Sequence, residues 1–355
     1  MQQALSLAAE GRGLTSPNPM VGAVVVDRDG AVVGTGYHER AGGSHAEVRA
    51  LDEAGQRSVG GALYCTLEPC CFQGRTSPCV ERITAAGIAR IVVAMLDPNP
   101  RVDGRGVAYL RQHGVEVEVG LRAREASRLN AAFLIWISEG RPFVTMKIAV
   151  SLDGYIAGRV GERTPLTSAV ANEAVHRLRA EVDGIAVGSN TVLVDDPLLT
   201  ARGVVRRRPL TRVVFDRRLR VPTSARLFDT LGVGPVVVVT TDRACERWPD
   251  RVAELHQAGV DIESVPSPGT ISDALERLGA RGMMHLVVDG GRRIHDALWR
   301  AGAVDRVQIF VTPVVLGATG VAWLDRGRVL GKLETFGVRV CGPDLLLEGD
   351  VYRTH

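Results

Sequence analysis

The sequence predicts a two-domain α/β protein, and three observations carry that reading. The chain has 355 residues, more than one ordinary hydrophobic core accommodates, and such a length implies two domains. Short β-branched runs alternate with helical patterns in both halves, as in sheets covered by helices. Between the halves the segment SEGRPF at 138–143 interrupts the alternation, which places the boundary near Gly140 and divides the chain into 1–140 and 141–355.

In the first part, MQQALSLAAEGRG reads as an amphipathic helix. It has neither the basic start nor the long apolar core of a secretory signal, so the expected location is the cytoplasm. GAVVVD, AVVGTGYH, ALYCTLEP, RIVVAML and VEVEVG then read as strands, and segments 46–54, 79–86 and 107–113 as helices. A helical stretch from about 122 to 138 closes the part. The second part restarts with the strand VTMKIAV, a helix over 169–181, and the strands GIAVGS, TRVVFD and PVVVVTT. A helix near 252–258, the strand HLVVDGG with a helix after it, DRVQIFVTP and a terminal pair of strand-like segments complete a second sheet. No repeat relates the halves, and no tract is of low complexity.

Composition narrows the function. Hydrophobic residues make up 45% and charged residues 23% of the chain, and no apolar run approaches the roughly 18 residues that a membrane span needs. A formal net charge of +3 leaves no footprint for a nucleic-acid backbone. Lys147 and Lys332 are the only lysines among 43 Lys and Arg residues, and the run Arg206-Arg207-Arg208 reads as a solvated loop before it reads as a polyanion site. Of the six cysteines, Cys65, Cys70, Cys71 and Cys79 cluster while Cys245 and Cys341 stand apart. That distribution is unlike a secreted disulfide framework and points to metal or catalysis.

The partner of the cysteine cluster lies upstream, in GGSHAEVRAL. On a helix, His45 and Glu47 stand about 200° apart around the axis, so they converge only near the helix end. Ser44 suits the N-cap, which puts His45 in the first turn. Ser77 suits the N-cap of the next helix, with Pro78 at its first position and Cys79 in its first turn, where thiolates are favoured. Cys70 supplies a third ligand. One His and two Cys leave the fourth tetrahedral position of a zinc ion open, as in catalytic sites. A water activated there and a carboxylate that moves its proton amount to hydrolytic deamination, and H-x-E followed by paired cysteines is the zinc-deaminase pattern.

Other readings stand beside this one. Ser44 and Glu47 also fit a capping box, Cys71 could close the metal shell, and Cys70 and Cys79 could pair as a disulfide. Cys65, inside a strand, reads as core.

HAEV at 45–48, TLEPC with GRTSPC ending at Cys79, SPNPMVGAVVV at 16–26 and LDPNPRVDGRG at 96–106 together resemble the bifunctional deaminase/reductases of riboflavin biosynthesis. KIAVSLDG at 147–154, HRLRAEVD at 176–183 and GSNTVLVDDPLLTAR at 188–202 are similar to the reductase domain of that family, so the resemblance covers nearly the whole chain. It implies a cytidine-deaminase-like zinc domain of three-layer α/β/α form, followed by a dihydrofolate-reductase-like α/β domain. The first would deaminate 2,5-diamino-6-(5-phosphoribosylamino)pyrimidin-4(3H)-one; the second would reduce the ribosyl group of the product to ribityl with NADPH. Residue by residue, His45, Cys70 and Cys79 match the Zn²⁺ ligands, Glu47 the proton shuttle and Asn18 a pyrimidine contact. Ala149, Thr191 and Asp195 match NADP positions, and Arg179, Leu199 and Arg202 match substrate positions.

The residues themselves say less about the second half. LVVDGGRRIHDAL reads as strand, Gly-Gly turn and helix, and the helix start at Gly291, Arg292 and Arg293 offers free amides to a phosphate; a plain strand-to-helix connection fits equally. Arg179 and Arg202 are surface charges or donors to a phosphorylated sugar. Hydride transfer belongs to the nicotinamide, so no triad of side chains is expected. The chain departs from the family at Cys71, where Ser is frequent, at Arg163 and Pro165 in the cofactor and substrate region, and at Asp289, which replaces a substrate-side Glu. The expected partners are a small phosphoribosylaminopyrimidine and further copies of the chain, with no nucleic acid and no membrane. Rival readings are a deaminase with a degenerate reductase half, a zinc-stabilised nucleotide-binding protein without turnover, and a nucleic-acid deaminase.

Overall fold

The computed structural model describes residues 1–74, 77–323 and 333–351, apart from the side chain of Thr335. Arg75 and Thr76 of the GRTSPC segment lie outside the described residues. The chain folds as two compact units, Met1–Gly140 and Arg141–His355.

The first unit runs α1 (Gln2–Ala9), β1 (Gly22–Val26), β2 (Val32–Tyr37), α2 (Ala46–Ala54), β3 (Ala62–Cys65), α3 (Cys79–Ala85), β4 (Arg90–Val93), α4 (Arg105–Gln112), β5 (Glu116–Val119), α5 (Ala123–Leu129) and α6 (Ala131–Glu139). Its five strands lie in the order β2-β1-β3-β4-β5. β1 is antiparallel to β2 and β3, and β3, β4 and β5 are parallel. Glycines let helices close on both faces. A Cβ on Gly22 of β1 would come 2.0 Å from the Ala4 carbonyl of α1, and one on Gly34 of β2 would come 2.0 Å from the Ala50 carbonyl of α2. Gly22 pairs with Tyr37 and therefore points to the face opposite Gly34 and Gly36. α1 and α2 thus cover opposite faces, the expected three layers. Leu63, Ile91 and Val93 of the sheet and Ile83 of α3 are fully buried in one core with residues of α2, each side chain stabilising by about 1.5–3 kcal/mol.

The single helix expected over 122–138 is two helices. Asn130 breaks it because its buried amide accepts from the Met20 N–H at 2.8 Å and donates to the Met20 carbonyl at 2.9 Å, which takes Asn130 out of helical geometry (φ −100°, ψ 17°).

The second unit comprises β6 (Phe143–Ser151), β7 (Tyr155–Ala157), α7 (Ala169–Glu181), β8 (Gly184–Gly188), α8 (Ser189–Asp195), β9 (Thr211–Phe215), β10 (Val236–Thr241), α9 (Asp242–Arg247), α10 (Pro249–Gln257), β11 (Asp261–Val265), α11 (Ile271–Ala280), β12 (His285–Asp289), α12 (Arg292–Arg300), β13 (Arg306–Thr312), β14 (Val321–Ala322), β15 (Leu333–Cys341) and β16 (Asp344–Val351). Nine strands lie in the order β11-β10-β9-β8-β12-β6-β13-β16-β15. All are parallel up to β13, and β16 runs antiparallel to both its neighbours. Helices on both faces make the central strands apolar throughout: Val237 and Val239 of β10 enter one core and Val236 and Val238 the other. β7, α8, α9, β11, α11 and β14 go beyond the expected alternation. α11 starts from a capping box between Thr270 and Asp273, and β11 is an edge strand with only two apolar residues, Ile262 and Val265. Among the described residues no helix is long and apolar enough to cross a membrane.

Candidate functional site

In the first unit, β3 ends just before the loop that carries Cys70, and α2 and α3 start at one place. His45 is the N-cap of α2 with an extended backbone (φ −72°, ψ 158°), and no side chain caps the helix. The expected N-cap at Ser44 and its capping box are therefore absent: the imidazole turns instead to the two thiols, and the Ser44 carbonyl receives the Nδ1–H of His38 at 3.2 Å. Pro78, not Ser77, is the N-cap of α3, and Cys79 is its first residue. The free amide of Cys79 points at Cys70 Sγ, 3.4 Å away, so the start of α3 serves the neighbouring sulfur.

His45 Nδ1 lies 3.1 Å from Cys79 Sγ and 3.5 Å from Cys70 Sγ, and the three donor atoms all lie within 4.8 Å of one another. A tetrahedral zinc with ordinary Zn–N and Zn–S bonds spaces its ligands about 3.6–3.8 Å apart, so the donor set fits that ion. Cys71 stands outside this group, its thiol 3.6 Å from the Arg101 carbonyl, and all six cysteines are free. A hydrogen bond from Cys79 and another with His45 outweigh burial at Cys70, whose thiol falls to about 4. Its neighbour Cys79 keeps the proton, held up first by that same hydrogen bond and then by burial. Cys65 is fully buried core and its thiol is pushed up by burial.

Glu47 is 4% exposed, and burial raises its carboxyl above the usual range, opposed by His45. Asn18 meets a residue that sequence reasoning missed. His38 stands edge-to-face with His45, ring centroids 5.6 Å apart. Because its Nδ1–H is spent on the Ser44 carbonyl, its Nε2 accepts from the Asn18 amide at 3.0 Å. That bond fixes the Asn18 amide, and its carbonyl oxygen has no hydrogen bond among the described residues. The only signal for His38 is its position at the end of β2, seven residues before His45. Glu68 was missed too: its buried carboxylate accepts the N–H groups of Asp97, Gly104 and Val107 at 3.2, 2.9 and 3.0 Å and folds the LDPNPRVDGRG segment against the loop of Cys70. Asp97 is buried there, and its carboxyl rises to about 6 through burial.

In the second unit the polar groups gather at the carboxyl ends of β6, β8 and β12, where open α/β sheets bind ligands. Asp289, the last residue of β12, sits beside Lys147 of β6. Its carboxylate accepts from Lys147 Nζ at 2.9 Å and from Arg179 at 2.7 Å. Burial alone would raise this carboxyl; the two cations override it and hold it well below the usual carboxylate range. Arg179 and Asp289, expected separately on the substrate side, thus form one buried ion triad with Lys147, which sequence reasoning noted only for its rarity. Arg179 also donates to the Thr200 carbonyl at 3.1 Å, and Arg202 donates to the Thr200 hydroxyl at 3.4 Å. Leu199 is buried in a left-handed conformation (φ 55°) that fixes this turn. Thr191 of α8 packs on the Gly290-Gly291 turn, where a Cβ on Gly291 would meet its hydroxyl at 3.3 Å. Asp195 ends α8, its carboxyl raised by burial against the pull of Arg163. Arg292 and Arg293 open α12, and Ala149 lies on the same face of β6 as Lys147, opposite Phe310. Pro165 is exposed.

The turn is backed by a buried pair. His295 of α12 accepts from Trp323 Nε1 at 3.0 Å through Nδ1 and donates through Nε2 to the Val288 carbonyl at 3.1 Å. Burial, only partly opposed by that carbonyl, lowers its pKa to about 4, so it is a neutral strut behind Asp289.

Comparison with known proteins places both units. Residues 142–347 match the RibD C-terminal domain, and residues 1–95 match the cytidine and deoxycytidylate deaminase zinc-binding region. The riboflavin biosynthesis protein RibD of Aquifex aeolicus is 42% identical over 317 residues, 89% of this chain and 87% of that protein. The RibD of Escherichia coli is 38% identical over 369 residues, 98% and 97% of the two chains. Among solved structures, Acinetobacter baumannii RibD superposes with a TM-score of 0.86 at 32% identity, covering 99% of this chain and 98% of that one. A diaminohydroxyphosphoribosylaminopyrimidine deaminase/5-amino-6-(5-phosphoribosylamino)uracil reductase from Thermotoga maritima gives 0.85 at 32% identity, covering 99% and 97%. A likeness that runs through two units of different topology, with a deaminase zinc region in one and a reductase domain in the other, has one source: the chain belongs to the RibD family, the bifunctional deaminase/reductases of riboflavin biosynthesis.

Proposed function

We propose that His45, Cys70 and Cys79 hold one Zn²⁺ and that Glu47 is the proton-transfer residue of a deaminase acting on the 2-amino group of 2,5-diamino-6-(5-phosphoribosylamino)pyrimidin-4(3H)-one. The observation that carries this reading is the convergence of three donor atoms within 4.8 Å beside the buried carboxylate of Glu47, with no fourth His, Cys, Asp or Glu in the group among the described residues. When bound there, the ion activates a water for attack at neutral pH. Glu47 takes a proton from the attacking water and returns it to the leaving amine, and its burial keeps proton affinity high enough for both steps. Asn18, oriented by His38, accepts an N–H of the pyrimidine.

In the second unit, Ala149, Thr191, Asp195 and the helix start at Gly291, Arg292 and Arg293 hold NADPH, which supplies the hydride. Arg179, Leu199, Arg202 and Asp289 position the phosphoribosylamino substrate, and Lys147 fixes Asp289. A silent reductase half finds no support, since the RibD match spans 142–347 and the ion triad is complete. The protein works in the cytoplasm as a homo-oligomer, without nucleic acid or membrane partners.

The test is elemental analysis of the purified full chain with both activities measured before and after chelation. One zinc per chain is expected. Its removal should abolish deamination while NADPH oxidation with supplied deaminated product persists. Metal-free but active protein, or a metal saturated by four protein ligands, would overturn the reading.

A further inference from the structure

The sequence reads Arg206-Arg207-Arg208 as a solvated loop; the structure turns two of the three inward. Arg206 donates to the Val182 and Pro209 carbonyls at 2.8 and 2.9 Å and to the carbonyl of Arg179. Arg208 pairs with Asp183 at 2.8 Å. Arg212, 1% exposed, donates to the Leu227 and Thr230 carbonyls at 2.9 Å each. Arg207 is exposed, with no hydrogen bond or ion pair among the described residues. All four line a half-open cavity of about 290 Å³, together with Thr200 and Leu210.

The cavity lies at the amino end of the parallel strands. Leu210 and Arg212 flank the first residue of β9, whereas Asp289 and Gly188 mark the carboxyl ends of β12 and β8. Its charge is unbalanced. Asp183 pairs with one of the four guanidinium groups, and its other oxygen is taken by the Met284 and His285 amides at 3.0 and 2.9 Å. Carbonyls solvate a guanidinium without neutralising it. Burial, and then the charge of Arg208, lower the pKa of Arg206 to about 10, so the cluster carries a net repulsion that an anion would relieve. Size narrows the anion: small-molecule sites span roughly 300–1,000 Å³, and this one, at the bottom of that range, has no room for a dinucleotide. The planar fork of Arg favours phosphate.

We propose that this cavity is a second anion site of the C-terminal unit, separate from its reductase site, that takes a phosphate monoester of about pentose size. Thr200 belongs to both neighbourhoods, since it lines the cavity while its carbonyl accepts from Arg179, so the test fills the reductase site first. The zinc-loaded full chain, saturated with NADP⁺ and the reduced product, is titrated calorimetrically with ribose 5-phosphate or inorganic phosphate at fixed ionic strength. One saturable event per chain is expected. It should weaken about ten-fold in Arg207→Ala and further in Arg207→Glu, with both activities in the absence of added phosphate unchanged. Tighter binding of the ester than of inorganic phosphate assigns an organic phosphate; equal binding assigns free phosphate, and either upholds the site. Loss of binding once the reductase site is filled, or equal affinity in the wild type and both Arg207 variants, would overturn it.

Discussion

The two units solve opposite problems of placement. In the N-terminal unit, three donors of fixed type converge on one point from two helix starts and the loop after β3, and the chemistry is local. In the C-terminal unit, the polar groups come from β6, β12, three helices and a turn, and two of the main residues expected to meet substrate, Arg179 and Asp289, bind each other. A metal dictates ligand identity and spacing, whereas a hydride carrier asks only for a shaped, charged cleft. Errors of placement therefore cost activity in the first unit and stability in the second.

Substitutions can break or sharpen that contrast. Glu47→Gln keeps the size of the side chain and should leave the zinc content intact while slowing deamination by about 10² to 10⁴; assays of both half-reactions check that reduction is untouched. Asp289→Asn should act on stability, because it leaves Lys147 and Arg179 buried and facing each other. Breaking such a pair costs about 3–5 kcal/mol, readable as an early thermal transition of the C-terminal unit, and Asp289→Glu should recover most of it.

His295 gives a pH signature of the same unit. Unfolded histidine titrates near 6.5, whereas burial brings the folded group to about 4. Between those values the unfolded chain binds more protons, so stability should fall as pH drops from about 6.5 toward 4, by at most about 3 kcal/mol. Melting curves across that window should flatten in His295→Gln. The smallest effect is expected from Cys71→Ser: zinc content, deamination and melting should stay within about 0.5 kcal/mol of the wild type, and a loss of metal would bring Cys71 into the ligand set.

Legibility in the sequence follows the same contrast. The cluster of His45, Cys70 and Cys79 was readable because H-x-E and the paired cysteines are rare at that spacing, and the strands because β-branched runs at turn boundaries admit few other readings. The capping geometry was not: Ser44 and Ser77 are better cap residues than His45 and Pro78 in isolation, and a tertiary demand overrode that preference. Asn130 was invisible inside an apolar helical pattern because its partner, Met20, is 110 residues away. His38, Glu68 and Lys147 are ordinary residues in sequence; their roles arise from neighbours that only the fold supplies.

The burial of Lys147 has a practical use. A chain with two lysines, of which Lys332 lies outside the described residues, offers very few primary amines to labelling reagents. Isotopic reductive methylation of the intact protein should yield a spectrum of a handful of resonances. One of them would be slow to appear and would shift as ligands enter the reductase cleft, giving a nearly background-free reporter of occupancy without any engineered tag.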